Sequence, residues 1–295
     1  MDFRDQVFLS VAENLSFSKA AEELFISQPA VTKHIKELES KLNITLFERK
    51  RNKVYLTKAG KLTYRYLIKI KELYSELEFD LGRLNEAFMG TLKLGASSTI
   101  SQYLIPPVIA SFHHKYPQIK LDIFSGNSFE MEQKLLKNQI DMALVENADS
   151  LTELKYINFY QDEIVGVTSN KSMYSKRRSL SVSDIQNIPL VLREKGSGTL
   201  EVIQKALSQK GIDLEKLNIL IHLGSTEAIK NFLPGFDGIA LVSEKALEKE
   251  LQSKNLVKIK VSDLTISRYF RMAFRHGSEL NIPKLFSDFL TNYNL

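Results

Sequence analysis

The chain has 295 residues, no cysteine, 43% apolar residues and a formal net charge of +5 at pH 7. The absence of cysteine excludes disulfides, thiol catalysis and cysteine-ligated metal sites. The length suffices for more than one domain with a sizeable core, and the small positive excess weakly favours a polyanionic partner. No stretch is long and apolar enough to span a bilayer, and the N-terminus lacks a signal-peptide cleavage pattern. We therefore expect a cytoplasmic protein without a membrane partner.

The N-terminal region predicts three helices, of which the second and third form a helix-turn-helix. Apolar residues in the third helix recur three and four apart, at Val31, Ile35, Leu38 and Leu42, so one face is buried. Ser27 occupies the expected N-cap position and Pro29 lies in the first turn. The other face carries Gln28, Thr32, Lys33 and Lys36. Such groups hydrogen-bond base edges in the major groove or reach phosphates.

The next segment predicts a hairpin with cations crowded at its tip, at Arg49, Lys50, Arg51 and Lys53. A basic tip suits a phosphate backbone or a minor groove. The alternative is a solvated loop, since charge runs often have no other role. Its position next to a helix-turn-helix favours contact with DNA.

The run AAEELFISQPAVTKHIKELESKLNITLFER, followed by LTKAG, resembles the LysR-type transcriptional regulators. The rest of the chain has the length of that family's effector-binding half. The resemblance implies that Ser27, Gln28, Pro29, Thr32, Lys33 and Lys36 face double-stranded promoter DNA. It also implies that Arg49, Lys50, Arg51 and Lys53 belong to a wing. Family members often have glycine at position 43, where this chain has an asparagine that tolerates the left-handed conformation. They also often have glycine at position 51 or 53, so the turn type of the wing stays open.

A long helix is predicted from Thr57 onwards, because apolar residues recur every three or four positions without an intervening proline. The stripe consists of Ala59, Leu62, Tyr66, Ile70, Leu73, Leu77, Leu81, Leu84 and Phe88. The helix either packs on its own domain or pairs, parallel or antiparallel, with the same helix of a second chain. The LysR resemblance implies a homodimer through this linker helix, with a tetramer as the expected assembly.

Strands and helices alternate after Gly90, which predicts an α/β fold with a mostly parallel sheet. One βαβαβ half spans residues 91–145, a second spans 164–242, and residues 268–290 return to the first. Crossings near 160–163 and 264–268 make a clamshell resembling the periplasmic-binding-protein fold that the LysR family also uses. We expect a winged helix-turn-helix at 1–57, a linker helix at 58–89 and an effector domain at 90–295. Its lobe I comprises 90–161 and 268–295, and its lobe II comprises 162–267.

Small polar residues follow three strands and open helices, at Ser97, Ser98 and Thr99, at Gly196, Ser197, Gly198 and Thr199, and at Ser225 and Thr226. Ligands of open α/β sheets sit beyond the carboxyl ends of strands, and helix N-termini favour anions. Asn127 and Ser128 add further contacts, and Arg193 supplies a charge from the opposite wall. Each turn alone fits a helix cap equally well; the three together predict a site for a small anionic effector. The LysR resemblance implies an effector between the lobes, at Ser97, Ser98 and Thr99.

The segments LREKGSGTLEV and LGSTEAIK are most similar to the LysR branch that includes regulators of sulfur and cysteine metabolism. The chain lacks a P-loop, a GxSxG elbow and a convincing catalytic set, so we expect no enzyme activity, no cofactor and no metal site. The sequence thus predicts an effector-responsive regulator that acts with the transcription machinery. The alternatives are a solute-binding protein and an enzyme that uses the anion site.

Overall fold

The computed structural model describes residues 1–50, 53–84, 88–177, 179–278 and 281–295. They form two compact units, Met1–Ala87 and Phe88–Leu295. Within these ranges, no helix is long and apolar enough to cross a membrane.

The first unit contains three short helices, a hairpin and one long helix. They are α1 (Phe3–Asn14), α2 (Phe17–Glu23), α3 (Gln28–Leu42), β1 (Phe47–Lys50), β2 (Lys53–Leu56) and α4 (Lys58–Leu84). Apolar side chains of α1 and α3, among them Val7, Phe8, Val31 and Ile35, are fully or almost fully buried in one core. The predicted helix-turn-helix is therefore present.

Local signals fix the ends of α3 and the start of α4. The Ser27 hydroxyl accepts a hydrogen bond from the Ala30 amide at 3.3 Å, as expected of an N-cap. Asn43 closes α3 in the left-handed region, with φ of 51°, which confirms the conformation predicted for this departure from glycine. Thr57 accepts from the Gly60 amide at 3.0 Å and so caps α4.

The second unit alternates strands and helices. Its first part comprises β3 (Gly90–Ser97), α5 (Ser98–Tyr103), α6 (Pro106–Lys115), β4 (Ile119–Gly126), α7 (Ser128–Leu136) and β5 (Met142–Val145). Then follow β6 (Leu154–Ser169), β7 (Ser179–Leu180), α8 (Val182–Asn187), β8 (Leu190–Arg193) and α9 (Gly198–Ser208). The last elements are β9 (Ile219–Leu223), α10 (Thr226–Phe232), β10 (Ile239–Ser243), α11 (Glu248–Gln252), β11 (Leu256–Val261), β12 (Ile266–Arg275) and α12 (Asn281–Thr291).

These strands form a ten-stranded sheet with the order β4-β3-β5-β12-β6-β10-β8-β9, and β11 pairs with β6 and β7. We call β3, β4 and β5, together with α5, α6 and α7, the first half. Its three strands are parallel to one another. The second half consists of β8, β9 and β10, also parallel, with α9 and α10. The long strands β6 and β12 run antiparallel between the two halves. The α/β expectation is confirmed.

One detail differs from the sequence prediction. The βαβαβ pattern of residues 91–145 predicts one helix between its first two strands, whereas the structure has two, α5 and α6. Pro106 and Pro107 occupy the first turn of α6, where proline is tolerated and from which it cannot continue a preceding helix. Residues 160–163, the first expected crossing, lie within the 16-residue strand β6, whose pairing with β12 shifts register between Phe270 and Arg271.

Candidate functional site

The first unit exposes a polar face at the start of α3. Ser27, Gln28, Pro29, Lys33 and Lys36 are exposed, and Thr32 is half-buried. The Gln28 amide donates to Thr32 Oγ1 at 3.0 Å, so these two side chains are held together. Lys33 lies 3.9 Å from Glu37 in an exposed pair, which contributes little to stability in water. The residues predicted to meet DNA therefore share one solvent-facing surface.

The wing is the β1–β2 hairpin, in which Lys50 is paired in register with Lys53. Both lysines and Arg49 are exposed. The Arg49 guanidinium lies 5.2 Å from the centre of the Phe17 ring in α2, which orients this cation on the helix-turn-helix. Arg51, also predicted to contact DNA, lies outside the described residues.

In the second unit, β3 ends at Ser97 and α5 begins at the next residue. The Ser97 hydroxyl caps α5 by accepting from the Ile100 amide at 3.4 Å. Ser97, Ser98 and Thr99 are all buried. The Ser98 hydroxyl has no hydrogen-bond partner among the described residues, whereas Thr99 donates to Glu146 Oε1 at 3.3 Å. The predicted serine and threonine residues thus include one donor in use and one without a partner.

The second half presents the start of α9 to the same carboxylate. Gly196 has φ of +90°, a conformation that favours glycine. A Cβ on Gly198 would lie 2.5 Å from the Asn147 nitrogen, so only glycine permits this approach of α9 to the end of β5. Thr199 donates to Glu146 Oε1 at 3.2 Å. Ser197 is buried, and its hydroxyl lacks a hydrogen-bond partner within the described ranges.

Glu146 is therefore the central group of the site, and sequence reasoning missed it. It is 1% exposed and its Oε2 lies 3.0 Å from the Arg268 guanidinium. Arg268 also pairs with Asp162 at 2.8 Å and donates to Thr199 at 3.0 Å. Burial raises the pKa of Asp162, and the neighbouring Arg268 opposes that rise. Glu146 directly follows β5, so the rule of inspecting residues after strands applies to it as well.

The start of α7 connects the two halves through its backbone. Asn127 forms a capping box with Glu130, and the Phe129 amide donates to the Gly196 carbonyl at 3.2 Å. Ser128 is buried, and its hydroxyl accepts from the Glu146 amide at 3.2 Å. Ser128 therefore lies beside the Thr99, Glu146 and Thr199 group, and both Asn127 Oδ1 and the Ser128 hydroxyl oxygen already accept structural hydrogen bonds.

Arg193, Ser225 and Thr226 form a neighbouring group in the second half. Arg193 is fully buried and pairs with Glu194 at 2.8 Å. It also donates to Thr226 Oγ1 at 3.4 Å. Ser225 caps α10 by accepting from the Ala228 amide at 3.1 Å. Because Glu194 neutralises Arg193, the charge expected from this residue is balanced in the present conformation.

A further contact joins the halves at α5 and α10. The Tyr103 hydroxyl donates to Glu227 Oε1 at 2.7 Å, and Lys230 lies 2.8 Å from the same carboxylate. Lys230 also lies 4.6 Å from the centre of the Tyr103 ring. Burial, followed by the bond to Glu227, raises the pKa of the Tyr103 hydroxyl. Side chains of both halves of the second unit are therefore in direct contact.

Two cavities flank the long strands. One of about 480 Å³ is lined by residues including Asn147, Lys205, Arg268 and Arg271, and one of about 680 Å³ by residues including Tyr160, Asp162 and Lys245. None of the predicted effector residues lines either cavity. The space next to Thr99 and Thr199 is instead occupied by Glu146.

Comparison with known proteins assigns both units. The profile described as LysR substrate binding domain matches residues 85–293, and that described as bacterial regulatory helix-turn-helix protein, lysR family, matches residues 5–61. The HTH-type transcriptional regulator CysL of Bacillus subtilis (strain 168) is 29% identical over 286 residues, covering 97% of this chain and 94% of CysL. The probable RuBisCO transcriptional regulator of Thalassiosira pseudonana is 34% identical over 269 residues, covering 89% and 87% of the respective chains.

A solved structure is similar to the second unit. The regulatory domain of Synechocystis PCC6803 CcmR, in complex with 2-PG, superposes with a TM-score of 0.62 at 25% identity. The match covers 69% of this chain and 96% of that domain.

Proposed function

The chain belongs to the LysR family of bacterial transcriptional regulators, and from that premise we propose how its residues bind promoter DNA and an effector. It is a DNA-binding regulator with an effector-binding domain. We further propose that its activity consists of binding alone, without catalysis, and that it acts on chromosomal DNA in the cytoplasm.

We propose that the exposed start of α3 enters the major groove, with Ser27, Gln28, Pro29, Thr32, Lys33 and Lys36 facing DNA. The observation that carries the proposal is the exposure of all of these side chains except the half-buried Thr32, on a helix whose other face is buried. Arg49, Lys50, Arg51 and Lys53 of the wing then meet the backbone or the minor groove, because cations there neutralise phosphates. The DNA-binding domain in this proposal is 1–57.

We propose that α4, within a linker segment at 58–89, forms the homodimer. Leu62, Tyr66, Leu73 and Leu77 are between 47% and 62% exposed in the single chain. Apolar residues at helical spacing over a helix of 27 residues, about 40 Å, require a partner surface. A dimer presents two α3 helices to two half-sites, and we propose that dimers pair into tetramers that engage the transcription machinery.

We propose that a small anion binds between the two halves of the effector domain, at 90–295, with lobes as predicted from the sequence. Support comes from Thr99 and Thr199, which bring hydroxyl donors from both halves to one point. Ser98 and Ser197, buried and without partners among the described residues, offer two more donors nearby in sequence. The similar CcmR regulatory domain holds 2-PG. Ser97, Asn127, Ser128, Arg193, Gly196, Gly198, Ser225 and Thr226 complete the proposed surroundings.

DNA binding is tested by selecting duplexes from a random pool with the purified full-length protein. We expect enrichment of a sequence with two half-sites, because the two copies of α3 in a dimer read the groove twice. A pool that shows no enrichment over several rounds would contradict sequence-specific binding.

The ligand class is tested by thermal melts of the full-length protein with 2-PG, sulfate, thiosulfate, acetylated serine and simple carboxylates. A ligand that binds only the folded state raises the melting temperature with concentration. We expect such a rise for at least one anion. Equal melting temperatures with every anion and with a chloride control would remove the small-anion assignment and leave DNA binding in place.

A further inference from the structure

Glu146 occupies the point at which the proposed effector donors converge. Its Oε1 accepts from Thr99 at 3.3 Å and from Thr199 at 3.2 Å, and its Oε2 lies 3.0 Å from Arg268. These are two hydroxyls and a guanidinium, the donors that a bound carboxylate, sulfate or phosphate would use. The chain therefore supplies its own anion to a site built from both halves.

The charge around this point leaves no room for a second anion. Arg268 also pairs with Asp162 at 2.8 Å, so two buried carboxylates share one guanidinium. A third negative charge beside them is unfavourable in a site screened from water, unless one of the carboxylates leaves.

Glu146 is held less completely than Asp162. Ser243 and Arg268 both donate to Asp162, at 2.8 Å each. Glu146 Oε2, in contrast, accepts no hydrogen bond from any described residue despite its ion pair. Of the two carboxylates, Glu146 is the one whose displacement breaks a bond between the first half and Thr199 of the second half.

Resting on the proposed function, we propose that Glu146 is an internal competitor of the effector and determines which ligands the site accepts. An anionic effector displaces the Glu146 carboxylate from Thr99 and Thr199 and takes over both hydroxyls. Ser98 and Ser197, which Glu146 leaves unbonded, hold the rest of the ligand. A ligand that replaces the carboxylate at both threonines therefore changes how Thr199 of the second half is joined to the first half.

The test uses the full-length protein and acetate, because acetate is about the size of the carboxylate that a Glu146→Ala substitution removes. In Glu146→Ala, acetate should raise the melting temperature in a saturable manner relative to chloride at equal ionic strength. Wild type should show no such rise, because its own carboxylate fills the position. The double variant Glu146→Ala with Thr199→Val, which lacks one donor, should lose the response.

The response of wild type and Glu146→Ala decides the proposal. An equal acetate response in both, or none in a folded Glu146→Ala protein, overturns it. If Glu146→Ala does not fold, Glu146→Gln keeps the side-chain volume and removes the charge. It should bind sulfate about tenfold more tightly than wild type, the gain from removing one charged competitor for hydrogen bonds. Equal sulfate affinity then overturns the proposal.

Failure of this proposal is separable from failure of the proposed function. Promoter-DNA binding depends on α3 of the first unit and is measured on wild type in parallel. Wild-type protein that selects a DNA sequence, together with a Glu146→Ala variant that ignores acetate, removes only the competitor role. Wild-type protein that selects no DNA sequence contradicts the proposed function itself.

Discussion

Thr99 and Thr199 open helices in different halves of the second unit, yet they donate to the same oxygen, Glu146 Oε1, at 3.3 and 3.2 Å. A shift of one half relative to the other must lengthen at least one of these bonds. A ligand that bonds both threonines in one arrangement but not in another therefore shifts the equilibrium between arrangements, which is the requirement for a ligand signal.

Removing the Thr99 hydroxyl should weaken the second unit measurably. Thr99→Val keeps the side-chain shape but takes one donor from a buried carboxylate, which we expect to lower the free energy of unfolding by about 1.5 kcal/mol. Thr99→Ser retains the donor but loses a buried methyl group, which we expect to cost about 1 kcal/mol, so it measures the packing contribution separately. Urea unfolding of the three proteins makes the comparison. A Thr99→Val protein as stable as wild type would show that the hydroxyl contributes no net stability there.

Exposed lysines of α3 should control affinity for DNA. Lys36→Ala should weaken binding to selected and unrelated duplexes alike and reduce the slope of log affinity against log salt by about 1, if Lys36 neutralises a phosphate. Lys41→Ala is the matched control, because Lys41 is also exposed on α3 but lies in its last turn. Fluorescence anisotropy at several salt concentrations measures both. The same loss in both variants would indicate general electrostatic attraction rather than a contact made by the start of α3.

A charge on the apolar stripe of α4 should dissociate the dimer. Leu73 is 62% exposed in the single chain, and an aspartate there would be buried without a partner in a paired helix. We expect Leu73→Asp to be monomeric in light scattering and to bind operator DNA weakly. Lys71→Asp introduces the same residue on the other side of the helix and should remain dimeric. A dimeric Leu73→Asp protein would place the interface elsewhere.

Glu132 should make stability depend on pH in a defined direction. Its carboxylate is buried and accepts from Asn147 and Tyr156 at 2.9 and 2.6 Å. Burial is the largest influence and raises its pKa above the usual 4.5. The native state therefore binds this proton more tightly than the unfolded chain. The stability that Glu132 contributes is fully present below the unfolded pKa and is lost as pH rises through the native pKa.

The measurement is thermal unfolding of wild type and Glu132→Gln from below the usual glutamate pKa to neutrality. We expect wild type to lose more stability than Glu132→Gln as pH rises over this interval. Parallel curves for the two proteins would show that the pKa of Glu132 is the same in the folded and unfolded states.

Sequence patterns predict the elements whose determinants are local. Ser27, Pro29 and Asn43 mark the ends of α3 through capping, a fixed φ and the left-handed conformation, each within a few residues of the helix. The strands β3, β4 and β5 follow from apolar runs bounded by turns. The extent of β6 cannot be predicted from such a run. Its two ends pair with different strands, β12 and β11, whose positions depend on the tertiary fold.

The candidate site was predicted only in part for the same reason. Thr99 and Thr199 are identifiable as hydroxyls that open helices after strands. Arg268 and Asp162 carry no such local signal, since they meet only when β6 and β12 pair. The neutralisation of Arg193 depends on the side-chain direction of its neighbour Glu194, which residue order alone does not fix.

The most direct test of a ligand-responsive regulator is anisotropy of a labelled duplex from the random-pool selection, titrated with full-length protein with and without the anion that stabilises it. We expect tighter binding to this duplex than to a scrambled one, and an affinity for the selected duplex that changes with the anion. Equal binding to selected and scrambled duplexes, unaffected by the anion, would contradict the function proposed here.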